Sequence, residues 1–179
     1  MSTNVAENVV VGQTGGIFYA PLGTALPVSA DDALNVAFKE VGYITEPGVT
    51  QSEGQSQTKI KAWQNADVVR IIQTEHSLTY KFAMQETNPN SLGLFYGSDY
   101  ASGQVSIKAG AADHHAIVIE IYDGSYHIRI AIADGQITER GEIVYVNGSE
   151  VAYPVTLECF PDAAGVKALI DYKTATVSI

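Results

Sequence analysis

Residues 115–133 read His-Ala-Ile-Val-Ile-Glu-Ile-Tyr-Asp-Gly-Ser-Tyr-His-Ile-Arg-Ile-Ala-Ile-Ala, and their alternation decides the fold. Every second residue on either side of Asp123-Gly124 is apolar, the period of a strand with one buried face. Asp-Gly is a strong signal for a two-residue type I′ turn. Such a turn pairs Ile121 with Tyr126, Ile119 with Ile128 and Ile117 with Ile130. Ile117, Ile119, Ile121, Ile128, Ile130 and Ile132 then share one face. A three-residue turn would set isoleucines opposite His127 and Arg129 and split the apolar set. The other face, with Glu120 opposite His127 and Val118 opposite Arg129, is expected to be half-polar surface.

The same period recurs outward from this hairpin. Strands are expected at Gly16–Ala20, Val36–Ile44, Lys59–Trp63, Asp67–Thr74, His76–Glu86, Gln104–Ala109, Gln136–Val146, Val151–Phe160, Lys167–Tyr172 and Ala175–Ile179. In His76–Glu86, His76, Leu78, Tyr80, Phe82 and Met84 fall on one side. Tyr153, Val155, Leu157 and Cys159 do so in Val151–Phe160. Asn147-Gly148-Ser149 reads as a turn. One helix is expected over about residues 89–97: Asn88 caps it, Pro89 opens it and Gly97 ends it. About two turns cannot stand alone in water, so Leu92 and Phe95 must pack on a sheet. Residues 1–15 have no periodicity and read as an arm. Residues 46–58 are polar and read as an unusually long loop between two strands. The class is mainly β, with the remainder, residues 16–179, as one domain.

Composition agrees. The chain has 179 residues, room for one domain. At 46% apolar residues it can bury a core. Ten Lys and Arg against 20 Asp and Glu give −10, which argues against nucleic-acid wrapping through phosphate neutralisation. The single cysteine, Cys159, excludes an internal disulfide. No signal sequence or 18-residue apolar run is present, so a soluble, cytoplasmically made product without a membrane partner is expected.

Chemistry is sparse. His114 and His115 are adjacent, so on a strand they point to opposite faces and do not share a metal. His127 has only Glu120 near it. No nucleophile elbow, zinc-protease helix motif, phosphate loop or dinucleotide fingerprint occurs. Glu139 and Glu142 are ordinary carboxylates of an acidic chain, and Cys159 beside Leu157 reads as a buried small hydrophobe. No catalytic residue, metal or cofactor is expected, and a small hydrolase is the weakest reading. Trp63 stands alone and ten tyrosines are scattered, so a glycan platform is not evident either.

Four stretches in order resemble one family. They are Gly42-Tyr43-Ile44-Thr45-Glu46-Pro47-Gly48-Val49-Thr50, then Ile60-Lys61-Ala62-Trp63-Gln64-Asn65-Ala66-Asp67-Val68-Val69-Arg70, then Glu86-Thr87-Asn88-Pro89 leading into the helix. The last is Val155-Thr156-Leu157-Glu158-Cys159-Phe160-Pro161-Asp162-Ala163-Ala164-Gly165. Together, over about residues 36–172, they resemble the major tail (tail tube) protein of long non-contractile-tailed bacteriophages, notably those of actinobacteria. The resemblance implies an antiparallel β-sandwich or barrel with one flanking helix, and hexameric rings stacked into a tube. It implies as partners other copies of the chain, a tape-measure protein, and tail tip and terminator proteins. DNA would transit the lumen of the virion tail without specific binding.

The resemblance also implies that loop 46–58 and the arm bridge rings, through Pro47, Gly48, Val49, Gln51, Glu53, Gln55 and Gln57. A bore that conducts DNA should repel phosphate, and Glu75, Glu86, Glu120, Glu139 and Glu142 are the lumen candidates. No appended immunoglobulin-like domain is expected. The alternatives are a tube protein of a contractile injection or type VI-like secretion system, and a non-catalytic binding or decoration β-sandwich.

Overall fold

The computed structural model describes residues 9–97, 100, 103–107, 109–110, 112–124 and 126–174. Its elements run β1 (Thr14–Pro21), β2 (Lys39–Glu40), β3 (Thr50–Lys61), β4 (Val68–Met84), α1 (Pro89–Tyr96), β5 (His114–Asp123), β6 (Tyr126–Arg140), β7 (Tyr153–Cys159) and β8 (Leu169–Thr174). All strand pairs are antiparallel. The fold is therefore mainly antiparallel β with a short helix on its flank. The strands form one sheet in the order β2-β1-β5-β6-β7-β4-β3, with β8 added on β6. Among the described residues the sheet is open, with β2 and β3 at its two ends.

Strand β6 is where the sheet turns back on itself. Its first half, Tyr126–Ala131, pairs with β8, and its second half, Gly135–Arg140, pairs with β7. A side-chain carbon on Gly135 would lie 2.9 Å from Leu157 Cδ1 and 3.2 Å from Ile117 Cδ1, so glycine lets the two halves close. One apolar cluster fills the space between them. Ile117, Ile119, Ile130 and Ile132 meet Leu78, Tyr80, Phe82, Met84, Tyr153, Val155, Leu157 and Cys159. Helix α1 closes the flank with Leu92, Leu94 and Phe95.

The helix has the expected ends. Asn88 Oδ1 accepts from the Asn90 and Ser91 N–H groups, and Ser91 Oγ accepts from Asn88 N–H, a reciprocal capping box. Gly97 ends it at φ +65°.

The β5–β6 register differs from expectation by two residues. Pairs run Asp123↔Tyr126, Ile121↔Ile128, Ile119↔Ile130 and Ile117↔Ile132, with Gly124 (φ +53°) in the turn. A slip of two preserves parity, so all six isoleucines still share the core face. Glu120 lies opposite Arg129, not His127. The other face is also buried rather than half-polar surface. Ala116, Val118, Glu120, Arg129 and Ala131 are buried there, and the chain at Ser29–Asp32 lies over Arg129 and Asp171.

Further expectations are corrected. Residues 50–58, read as loop, are strand β3; a turn precedes it. Asp67–Thr74 and His76–Glu86 are one strand, β4. Val36–Ile44 is strand only at Lys39–Glu40, with a lone bridge Ile44↔Met84, because Gly42 at φ +92° breaks the extended run. Gln136–Val146 is strand only to Arg140, and Gln104 makes only an isolated bridge. Thr14 and Gly15 belong to β1, not to an arm. Residues 1–8 of the arm, Lys108 of the expected Gln104–Ala109 strand, and Ala175–Ile179 lie outside the described residues. No described helix is long and apolar enough to cross a membrane.

Candidate functional site: an exposed hairpin on an open sheet edge

Strand β3 is polar on both sides, Thr-Gln-Ser-Glu-Gly-Gln-Ser-Gln-Thr, and pairs along β4 alone. β7 pairs with β4 only from Thr79 to Met84, so from Val68 to Leu78 the one strand paired with β4 among the described residues is β3, with Lys167 Nζ donating to His76 O near the base. Two register shifts, after Ser56 and after Ile60, twist this arm. At its tip Ala62 N–H bonds Asp67 O at 2.7 Å, and Asn65 and Ala66 take positive φ (57° and 55°). Alanine there costs roughly 1 kcal/mol or more, so the tip conformation is held against local preference.

The tip is not built for water. Trp63 is 97% exposed, and Ile60, Val68, Val69, Ile71 and Ile72 are exposed beside it. Burying one such indole removes ~200 Å² from water, worth about 5 kcal/mol gross. Among the described residues no strand pairs with the outer edge of β3, which leaves its outward N–H and C=O groups as a template for another strand. Natural edges are usually blunted by charge or proline. Here Thr50–Thr58 carries only Glu53.

The residues expected to bridge subunits sit together at this arm. Gln51, Glu53, Gln55 and Gln57 alternate along one face of β3, opposite Tyr80, Leu78, His76 and Gln73. Gln51 accepts from Tyr80 OH at 3.1 Å, and Glu53 pairs with His76 Nε2 at 2.7 Å. Pro47, Gly48 and Val49 form the turn into β3 and line a cavity of about 970 Å³.

The five carboxylates do not form one group. Glu75 (bonded by Ser56 Oγ, 3.3 Å), Glu139 (bonded by Thr156 Oγ1, 3.1 Å) and Glu142 are exposed. Glu86 accepts from Tyr43 N–H at 2.9 Å and from Asn88 Nδ2 at 3.0 Å. The Tyr43 bond first, then Asn88, holds its carboxyl below the usual carboxylate range. Glu120 is 3% exposed, takes Arg129 Nε at 2.8 Å and Nη2 at 2.7 Å on Oε1, and bonds His127 and Tyr122 through Oε2.

Cys159 is fully buried, and burial pushes its thiol up to about 12. His114 pairs with Asp134 while His115 packs edge-on against Tyr19 on the other face; burial, more than any charge, lowers its pKa. Among the described residues, no three His, Cys, Asp or Glu side chains are grouped to hold a metal. The residues that sequence reasoning missed are Trp63 and its apolar neighbours. The one available signal was six large apolar side chains in a stretch with no clean alternation.

A family model described as phage tail tube protein matches residues 1–173. No curated protein matches the sequence. Among solved structures the chain is similar to one in the 6-fold symmetrised cryo-EM structure of the anti-feeding prophage baseplate. There identity is 11%, coverage is 99% of this chain and 100% of that one, and the TM-score is 0.40, a likeness that carries no argument. The match over 173 residues places the chain in the phage tail tube protein family.

Proposed function

We propose, from that membership, that this chain is the repeating structural subunit of a phage tail tube, acting by self-assembly and not by catalysis. Its tube domain begins with β1 at Thr14, two residues before the expected start at Gly16. Subunits join edge to edge into hexameric rings, and rings stack through the β3–β4 arm and the turn Pro47–Val49. The observation that carries this reading is the open β3 edge on an arm with exposed apolar side chains. A monomer gains nothing from either feature, and a closed ring removes both liabilities. Glu75, Glu139 and Glu142 are the carboxylates left to face a bore that passes DNA and a tape-measure protein. Glu86 and Glu120 are engaged within the subunit.

Negative-stain microscopy of concentrated protein tests the proposal. Rings or tubes about 100 Å across are expected for a two-layer wall, ~10 Å between sheets, around a DNA-wide channel. Monodisperse monomer at every concentration overturns it.

A further inference from the structure

The cavity at the foot of the arm is acidic. Glu40, Tyr43, Glu46 and Glu86 line it, and no lysine or arginine does. Glu86 is fixed in the wall by its bonds from Tyr43 and Asn88, which favour its charged form. The backbone is committed to this arrangement: a side-chain carbon on Gly42 would lie 2.4 Å from the Glu86 carboxyl carbon. Glu120 also borders the cavity, but Arg129 neutralises it. Tyr43 offers an aromatic surface that is 76% exposed.

The arm's tip is the complement. Residues 59–70 hold Lys59, Lys61 and Arg70 against Asp67, three of the chain's ten Lys and Arg in twelve residues, around Trp63. The tip cannot reach the cavity of its own subunit. Pro47–Val49 line that cavity immediately before β3 begins, and the eleven steps from Thr50 to Lys61 span about 35 Å of extended chain.

We infer that the acidic cavity at the foot of the arm receives the basic, Trp63-bearing tip of a second copy of this chain. The inference rests on the tube reading and adds to it the seat that receives the arm's tip and the charge pairing that holds it there. Tip and cavity are different patches of one subunit, so the contact is head-to-tail, the kind that extends along a stack wherever its rotation does not close a ring. Opposite charges orient the approach, and a wrong register sets carboxylates against carboxylates.

A charge swap in the full chain tests this. The K59E/K61E/R70E variant and the E40K/E46K variant should each raise the protein concentration needed for tube growth at least tenfold. Mixing the two, or combining all five changes in one chain, should restore growth, because the signs match again. Trp63 is the only tryptophan, so its emission should shift to the blue on assembly of wild type and of the mixture, but not of either variant alone. Both sites are exposed, so circular dichroism should report a native sheet in each variant. Growth unaffected by the tip variant, or lost in it and not restored by the swap, overturns the inference while wild-type tubes leave the tube reading standing. Wild type that never forms rings or tubes overturns both.

Discussion

Arg129 shows what a single buried residue does in this fold. The residue is 6% exposed, holds Glu120 through Nε and Nη2, and donates from Nη1 to Ser29 O at 2.6 Å and Asp32 O at 2.7 Å. It therefore neutralises a buried carboxylate and ties a segment a hundred residues away onto the sheet. Replacing one partner of a buried pair strands the other. Arg129→Met is expected to cost about 3–5 kcal/mol in urea unfolding. Arg129→Met with Glu120→Leu should recover much of that loss, since no charge is left unpaired, although Ser29 O and Asp32 O remain short of a donor. A double-mutant cycle reads the coupling, expected at roughly 2 kcal/mol. Additive losses would mean the two residues act separately. Sequence reasoning found this pair's strand and face but not its burial. The cover comes from Ser29–Asp32, whose tie to β6 is invisible to local periodicity.

The elements divide by whether they set a face on the core. β5, β6, β7 and the lower half of β4 each set one face on the core, so alternation exposed them, and α1 was legible from Asn88, Pro89 and Gly97. Register was less so: a slip of two residues at Asp123-Gly124 leaves every isoleucine on the same face, and periodicity cannot see it. The sequence of β3 reads as loop because both its faces are wet, leaving no hydrophobic alternation to find. That misreading bears on how the arm should be tested. Deleting residues 48–57 would remove a strand and its entry turn. Excising residues 57–74 and joining Ser56 to Glu75 through Asn-Gly removes only the unsupported part, since Ser56 and Glu75 are paired. The shortened chain should melt within about 3 °C of wild type, because it loses almost no core contact, yet form no stacked tubes by electron microscopy. Normal tube growth by it would remove the arm from assembly.

At the scale of the whole molecule, charge is the property that only the assembly can use. In a ring, symmetry repeats every bore-facing carboxylate, and its field reaches about 8 Å at physiological salt. Glu75, Glu139 and Glu142 are exposed, and their partners in the subunit are at most a neighbouring hydroxyl. On the tube reading, exposure leaves three places for them, the bore, the outer wall or a subunit contact, and replacement by lysine separates these. A bore-facing residue touches no partner, so E75K/E139K/E142K chains should still build tubes while the formal charge per subunit falls from −10 to −4. Labelled duplex DNA, excluded from wild-type tubes, should then be retained by the variant and released by added salt, as counterion-driven contacts are. A contact-facing residue behaves differently: lysine there meets the neighbour, and assembly fails before DNA is tested. Tubes that form and still exclude DNA would show that these three carboxylates do not set the polarity of the bore.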